Sequence, residues 1–126
     1  MATATYPTNR QGASASAKIL ADGTAVIQSG SQGLGTGTYT VMTQIAADAL
    51  GLPLDKVRVE LGDTVQPKAP VSGGSQTVAS VGPAVHVASK ATRNRCCTVT
   101  RSTISAWNSA GFIEYRTRQD ASLSRQ

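Results

Sequence analysis

Residues Gly30 to Leu52 read GSQGLGTGTYTVMTQIAADALGL, a run of glycines that opens straight into an amphipathic helical pattern. The design recurs downstream, where SGGSQTVASVG (Ser72 to Gly82) leads into Pro83-Ala-Val-His-Val-Ala. A glycine-rich loop ahead of a helix leaves backbone N–H groups unpaired and lets a ligand approach them closely. Two such loops in one short chain predict a concave, anion-binding surface. Gly33, Gly35 and Gly37 in the first loop, with Gly73, Gly74 and Gly82 in the second, are the positions expected to give that approach.

The segments around the loops alternate between two periods. Asp22-Gly23 separates the apolar runs Ala17-Lys-Ile-Leu-Ala and Thr24-Ala-Val-Ile-Gln, which predicts a hairpin with glycine supplying a positive φ. Val41, Met42, Ile45, Ala46, Ala49 and Leu50 follow helical spacing, with Thr38 as the expected N-cap and Gly51 and Pro53 as the stop. Val57, Val59 and Leu61 then alternate with Lys56, Arg58 and Glu60, the pattern of a half-buried strand. Residues 63–76 read as a long loop. A second helix is expected from Pro83, whose fixed φ suits a first helical position. The predicted class is α+β: hairpin, helix, strand, helix.

Large apolar residues are too few and too unevenly spread for a self-sufficient globule. Leu, Ile, Val and Phe number 24, of which 19 fall within residues 18–91 and none within 1–17. A core this thin is marginal alone, so residues 18–91 read as part of a larger domain and residues 1–17 as an irregular lead-in. The net charge of +5 is also uneven: residues 1–91 carry +1 and residues 92–126 carry +4. Lys18, Lys56, Arg58, Lys68 and Lys90 neither cluster nor interleave with aromatics, which argues against nucleic acid as a partner. Residues 92–126 lack a sustained period of either kind and read as a basic tail, disordered or translated in a shifted frame, with few contacts to the rest.

Several side chains take structural readings. Cys96 and Cys97 have no accompanying ligand spacing, and His86 is expected to be structural. Ser80 has no base beside it, Tyr39 reads as packed or capping, and Glu60 and Asp63 do not form an acid/base pair. A P-loop would need Gly-Lys-Ser/Thr, and a dinucleotide fingerprint would need glycine where Thr40 stands. No apolar run reaches the roughly 18–20 residues of a membrane span, and the N-terminus has no signal-peptide core. A membrane is therefore not an expected partner.

Two stretches, GSQGLGTGTYTVMTQIAADALGLPLDKVRVELGDT (Gly30 to Thr64) and APVSGGSQTVASVGPAV (Ala69 to Val85), resemble the molybdopterin-binding large subunit of the xanthine dehydrogenase/aldehyde oxidase family of molybdenum hydroxylases. The resemblance runs from about residue 1 to residue 91, and MATATYP is similar to an internal segment of that subunit. It implies a fragment of a larger molybdopterin-binding domain. It also implies that Leu34, Gly35, Thr36 and Gly37 pass beside the pterin and metal. Val78, Ala79, Ser80, Val81 and Gly82 would contact its dithiolene and phosphate region. Many members carry Gln at the position of Thr36.

The implied cofactor is molybdopterin with molybdenum, in the cytosine dinucleotide form, without direct protein ligands to the metal from this chain. Iron–sulfur clusters and FAD would sit on other subunits or segments, which are the implied partners. The implied reaction is hydroxylation of an aldehyde or N-heterocycle with oxygen from water. The family's glutamate base and iron–sulfur motifs have no counterpart here, so the chain is expected to be inert alone. A cytoplasmic location is expected, or a periplasmic one if the parent complex is exported with a partner. A non-catalytic remnant and a generic phosphate-binding module are the alternatives.

Overall fold

The computed structural model describes residues 1–4, 9–102 and 112–119, with side chains described for residues 1–4 and 9–97. Two helices pack on one face of a four-stranded sheet. The elements run β1 (Ala13–Leu20), β2 (Ala25–Ser29), α1 (Thr38–Leu50), a 3₁₀ turn (Leu54–Lys56), β3 (Val57–Leu61), α2 (Thr77–Ser102) and β4 (Phe112–Gln119). The sheet order is β3-β2-β1-β4.

The expected hairpin is formed by β1 and β2, antiparallel, with Ser16 opposite Gln28 and Ile19 opposite Ala25. Gly23 turns it with φ +81°. The Asp22 carboxylate fixes the turn, accepting from the Thr24 amide at 2.9 Å and hydroxyl at 2.7 Å. β2 and β3 are parallel, with Ala25 in register with Val57 and Ser29 with Leu61. A parallel pair needs a crossover, and α1 is that crossover.

The core is built from small residues. Ala13, Ala15, Ala17, Ala25 and Ile27 present the sheet to Met42, Ala46 and Leu50 of α1 and to Val81, Ala84, Val85 and Ala88 of α2. Alanines on the sheet let α2 approach closely enough for Thr92 Oγ1 to donate to Ala17 O at 3.2 Å, with Ala88 O at 2.9 Å. The opposite face is polar. Ser16 Oγ donates to Gln28 Oε1, Gln28 Nε2 to Glu60 Oε2 at 2.9 Å, and Glu60 pairs with Arg58 at 3.3 Å. Such a one-sided sheet explains the alternating burial of β2 and the apolar–charged alternation of the β3 sequence.

Four sequence-based expectations are corrected. The lead-in ends early, because β1 begins at Ala13 and buries Ala13, Ala15, Ser16 and Ala17. Gly37 rather than Thr38 is the N-cap of α1; it lies at φ 74° with no side-chain cap bond, and Thr38 is the first helical residue. α2 begins at Thr77, six residues before Pro83, which therefore sits inside the helix. Proline there forfeits the bond to the Ala79 carbonyl, a cost the buried stripe Val81, Ala84, Val85 and Ala88 offsets. The described residues of the 92–126 segment, 92–102 and 112–119, are not set apart: α2 continues through Ser102, Thr92 is fully buried, and β4 pairs with all eight residues of β1. Without β4, the β1 edge would be left with unpaired N–H and C=O groups.

Candidate functional site

The first glycine loop divides into anchored and open halves. Gly30 donates its N–H to Pro67 O at 2.7 Å, and a Cβ there would meet that oxygen at 3.0 Å. A Cβ on Gly33 would strike the Tyr39 ring at 2.7 Å, so Gly33 serves the packing of Tyr39. Gly35 and Gly37 lie at φ +82° and +74°, in the left-handed region, with open space where a Cβ would stand. Their turn delivers the chain into α1. The N–H groups of Thr38, Tyr39 and Thr40 have no intrahelical acceptor, Val41 N–H being the first to reach back, to Gly37 O. No acidic residue occupies this first turn.

The second loop does the same for α2. Gly74 and Ser75 take φ values of 58° and 55°, and among the described residues Ser75 is the non-glycine residue held in that region. Strain of this kind in a side-chain-bearing residue clusters at binding sites. Ser80 N–H is the first to reach back, to Gln76 O at 2.8 Å, which leaves those of Thr77, Val78 and Ala79 without intrahelical acceptors. This turn also lacks an acidic residue. Gln76 is 5% exposed; its Nε2 donates to Val71 O at 2.9 Å, and its Oε1 has no partner.

The two helix starts meet. Leu34, Thr36 and Thr38 from the first loop and Ser72, Gly73, Ser75, Thr77 and Val78 from the second line one hollow of about 340 Å³. Gly33, Gly35, Gly37 and Thr38 to Thr40 line a neighbouring one of about 420 Å³. Thr36, Thr38, Ser72, Ser75 and Thr77 make the first of these hollows hydroxyl-rich, with Leu34 and Val78 as its exposed apolar rim. Neither lining includes a charged side chain among the described residues. Backbone amides at two helix N-termini concentrate positive potential without a formal cation.

The site residues expected from sequence separate into two groups. Leu34, Thr36 and Val78 line the hollow shared by the two loops, and Gly35 and Gly37 the neighbouring one. Ala79 lies in the first turn of α2, half-buried. The rest of the second set belongs to the helix body. Ser80 is buried and its hydroxyl accepts from Gln11 N–H at 3.1 Å. Val81 is core, and Gly82 faces α1, where a Cβ would meet Ile45 Cδ1 at 3.2 Å. The expectation that Val78–Gly82 form a loop is thus corrected: the loop is Ser72–Gln76. Ser72, Ser75 and Thr77 were not among the expected contacts. The Ser-Gly-Gly-Ser stretch was the signal, masked by placing the helix start at the proline.

Comparison with known proteins follows the same lines. The family model of the molybdopterin cofactor-binding domain matches residues 1–118. The chain belongs to this family, that of the molybdenum hydroxylase large subunits. The match runs through most of the segment that the sequence reading set apart. The aldehyde oxidoreductase molybdenum-binding subunit PaoC of Escherichia coli K12 is 43% identical over 53 residues, 42% of this chain and 7% of that protein. The probable hypoxanthine oxidase XdhD of the same strain is 45% identical over 47 residues, 37% of this chain and 5% of that protein.

Among solved structures, CO dehydrogenase from Oligotropha carboxidovorans superposes with a TM-score of 0.65 at 28% identity, over 71% of this chain and 11% of that one. Quinoline 2-oxidoreductase from Pseudomonas putida 86 gives 0.62 at 28% identity, over 67% and 11%. The chain therefore spans a small part of the length of each relative it matches. No helix among the described residues is long and apolar enough to cross a membrane.

Proposed function

We propose that this chain supplies part of the cofactor cradle of a molybdenum hydroxylase large subunit, at the paired N-termini of α1 and α2. The observation that carries the reading is the convergence of two uncapped helix starts on one hydroxyl-lined hollow without a charged lining residue. The residues fit a pyrophosphate-linked pterin. Amides of Thr38 to Thr40 and Thr77 to Ala79 offer neutral donors to phosphate oxygens. Thr36, Thr38 and Ser75 add hydroxyls to the lining. Leu34 and Val78 give the rim an exposed apolar surface against which the pterin would pack. Val81 in the core and Gly82 against Ile45 pack α2 onto α1 and the sheet.

When bound, the cofactor supplies the molybdenum redox centre for hydroxylating an aldehyde or N-heterocycle with oxygen from water. This chain contributes binding and orientation, which alone do not provide general-base chemistry. In this reading the cofactor carries the cytosine dinucleotide, and iron–sulfur and flavin subunits complete the electron path. The isolated chain turns over nothing. The test is cofactor occupancy in an intact large subunit carrying this segment. Gly35→Val forces a branched side chain into φ +82° and should lower bound molybdenum and releasable pterin together. Unchanged occupancy in a folded Gly35→Val subunit would reduce the loops to ordinary turns and favour a non-catalytic remnant.

A further inference from the structure

The two glycine loops are joined by side-chain bonds that no loop residue needs for its own turn. Ser72 N–H donates to Gln32 Oε1 at 2.9 Å, and Ser72 Oγ donates to the Gln32 carbonyl oxygen at 2.7 Å. Gln32 thus holds Ser72 at both its backbone and its side chain, forty residues apart in sequence. Ser72 Oγ also lies 2.9 Å from Thr77 Oγ1. A hydroxyl has one hydrogen, and that of Ser72 is committed to a carbonyl that cannot donate. Thr77 is therefore the donor in its pair with Ser72. The order runs one way, from Thr77 through Ser72 to Gln32, from the first residue of α2 to the loop preceding α1.

We propose that Gln32 and Ser72 form a latch that sets the separation of the two helix N-termini, making Gln32 a positioning residue of the cradle. The latch spans the gap between loops whose other ends are fixed independently. Gly30 is tied to Pro67, and Gln76 to Val71. Between those anchors the Gln32–Ser72 pair is the direct polar link between the loops among the described residues. Both partners are outside the core, so the pair contributes little to the hydrophobic packing of the fold. Its role is alignment: two sets of three amides act as one binding site only while their spacing is fixed. The one-way order has a second consequence. With its hydrogen given to Ser72, Thr77 Oγ1 keeps acceptor capacity only and favours a ligand that presents an N–H or O–H beside its anionic oxygens.

The proposal rests on the functional reading above and is tested on the full chain with inorganic pyrophosphate as the probe. Amide exchange at Ser72 and chemical shifts of Thr38 to Thr40 and Thr77 to Ala79 are followed together. In the parent chain the six amides should titrate with one Kd. Gln32→Met keeps length but removes the side-chain acceptor, and Ser72 amide exchange should rise about fivefold, the worth of one ordinary hydrogen bond. The two helix starts should then titrate with different Kd values. Gln32→Glu restores an acceptor at the same reach and should return Ser72 exchange to the parent rate. Unchanged Ser72 exchange in Gln32→Met, with one Kd still shared, overturns the latch. If pyrophosphate shifts no amide in the parent chain, the cradle reading fails, and the exchange of Ser72 in the two variants alone decides whether the latch exists.

Discussion

Val78 stands in the first turn of α2, 48% exposed, on the rim of the hollow shared by the two loops. Replacing it with aspartate should move stability and binding in opposite directions. A carboxylate in the first turn of a helix meets the positive end of the dipole and gains about 0.3–1 kcal/mol at an exposed position. No other acidic residue competes for that end. The same charge repels any anion held by the amides. Two unit charges about 6 Å apart repel by about 0.7 kcal/mol at the permittivity of water and about 3 kcal/mol at an effective value near 20. Pyrophosphate affinity should fall roughly 3- to 150-fold, since each 1.4 kcal/mol is tenfold. Urea denaturation and low-salt calorimetric titration read the two effects on one preparation, with Val78→Asn as the neutral control. A Val78→Asp chain that binds pyrophosphate as tightly as Val78→Asn would refute the placement of the anion at this helix start.

Gly82→Val should cost about 1–3 kcal/mol by overpacking against Ile45, while Gly82→Ala should lie within about 1 kcal/mol of the parent because the gain in helix propensity offsets a relieved contact. Urea midpoints measure both, and a larger loss for alanine than for valine would contradict the packing role. The Thr24 hydroxyl and amide hold the Asp22 carboxyl below its ordinary 3.8. A depressed folded value means the turn's stabilisation is present above pH 3.8 and is lost as pH falls through the folded value. Carbon-detected titration of Asp22 should show a low midpoint that Thr24→Val raises; a parent midpoint at or above 3.8 would argue otherwise. Truncation before Phe112 should open the outer edge of β1, speed its amide exchange and promote self-association. Unaltered β1 protection in the truncated chain would mean that β4 does not guard that edge.

The elements readable from sequence were those whose local chemistry and burial agree. Asp22-Gly23 dictates its own turn, the 41–50 stripe buries one helical face, and Val57–Leu61 alternates because one sheet face is packed and the other solvated. The second helix start was misread because Pro83 is favourable at a first turn, whereas tertiary burial of Val81 and Val85 carries the helix past it. The pairing of the two loops was legible in their repetition, but Ser72, Ser75 and Thr77 required the true boundary. β4 left a faint mark, with Glu114, Arg116 and Arg118 at alternate positions in an edge strand of eight. Its partner, β1, is alanine- and serine-rich and carries little apolar signal of its own. Gln32 has no signature at all. Its role depends on a residue forty positions away.

The central claim is that α1 and α2 present one shared cofactor cradle. The most direct measurement is a crystal structure of an intact large subunit containing this segment with its molybdenum–pterin group bound. The account predicts phosphate or pterin atoms within hydrogen-bond reach of amides from both Thr38–Thr40 and Thr77–Ala79, with Leu34 and Val78 against the ligand. Val81 and Gly82 should remain in the α1–α2 packing. A cofactor held by one helix start alone, or lying on the polar sheet face near Arg58 and Glu60, would contradict it.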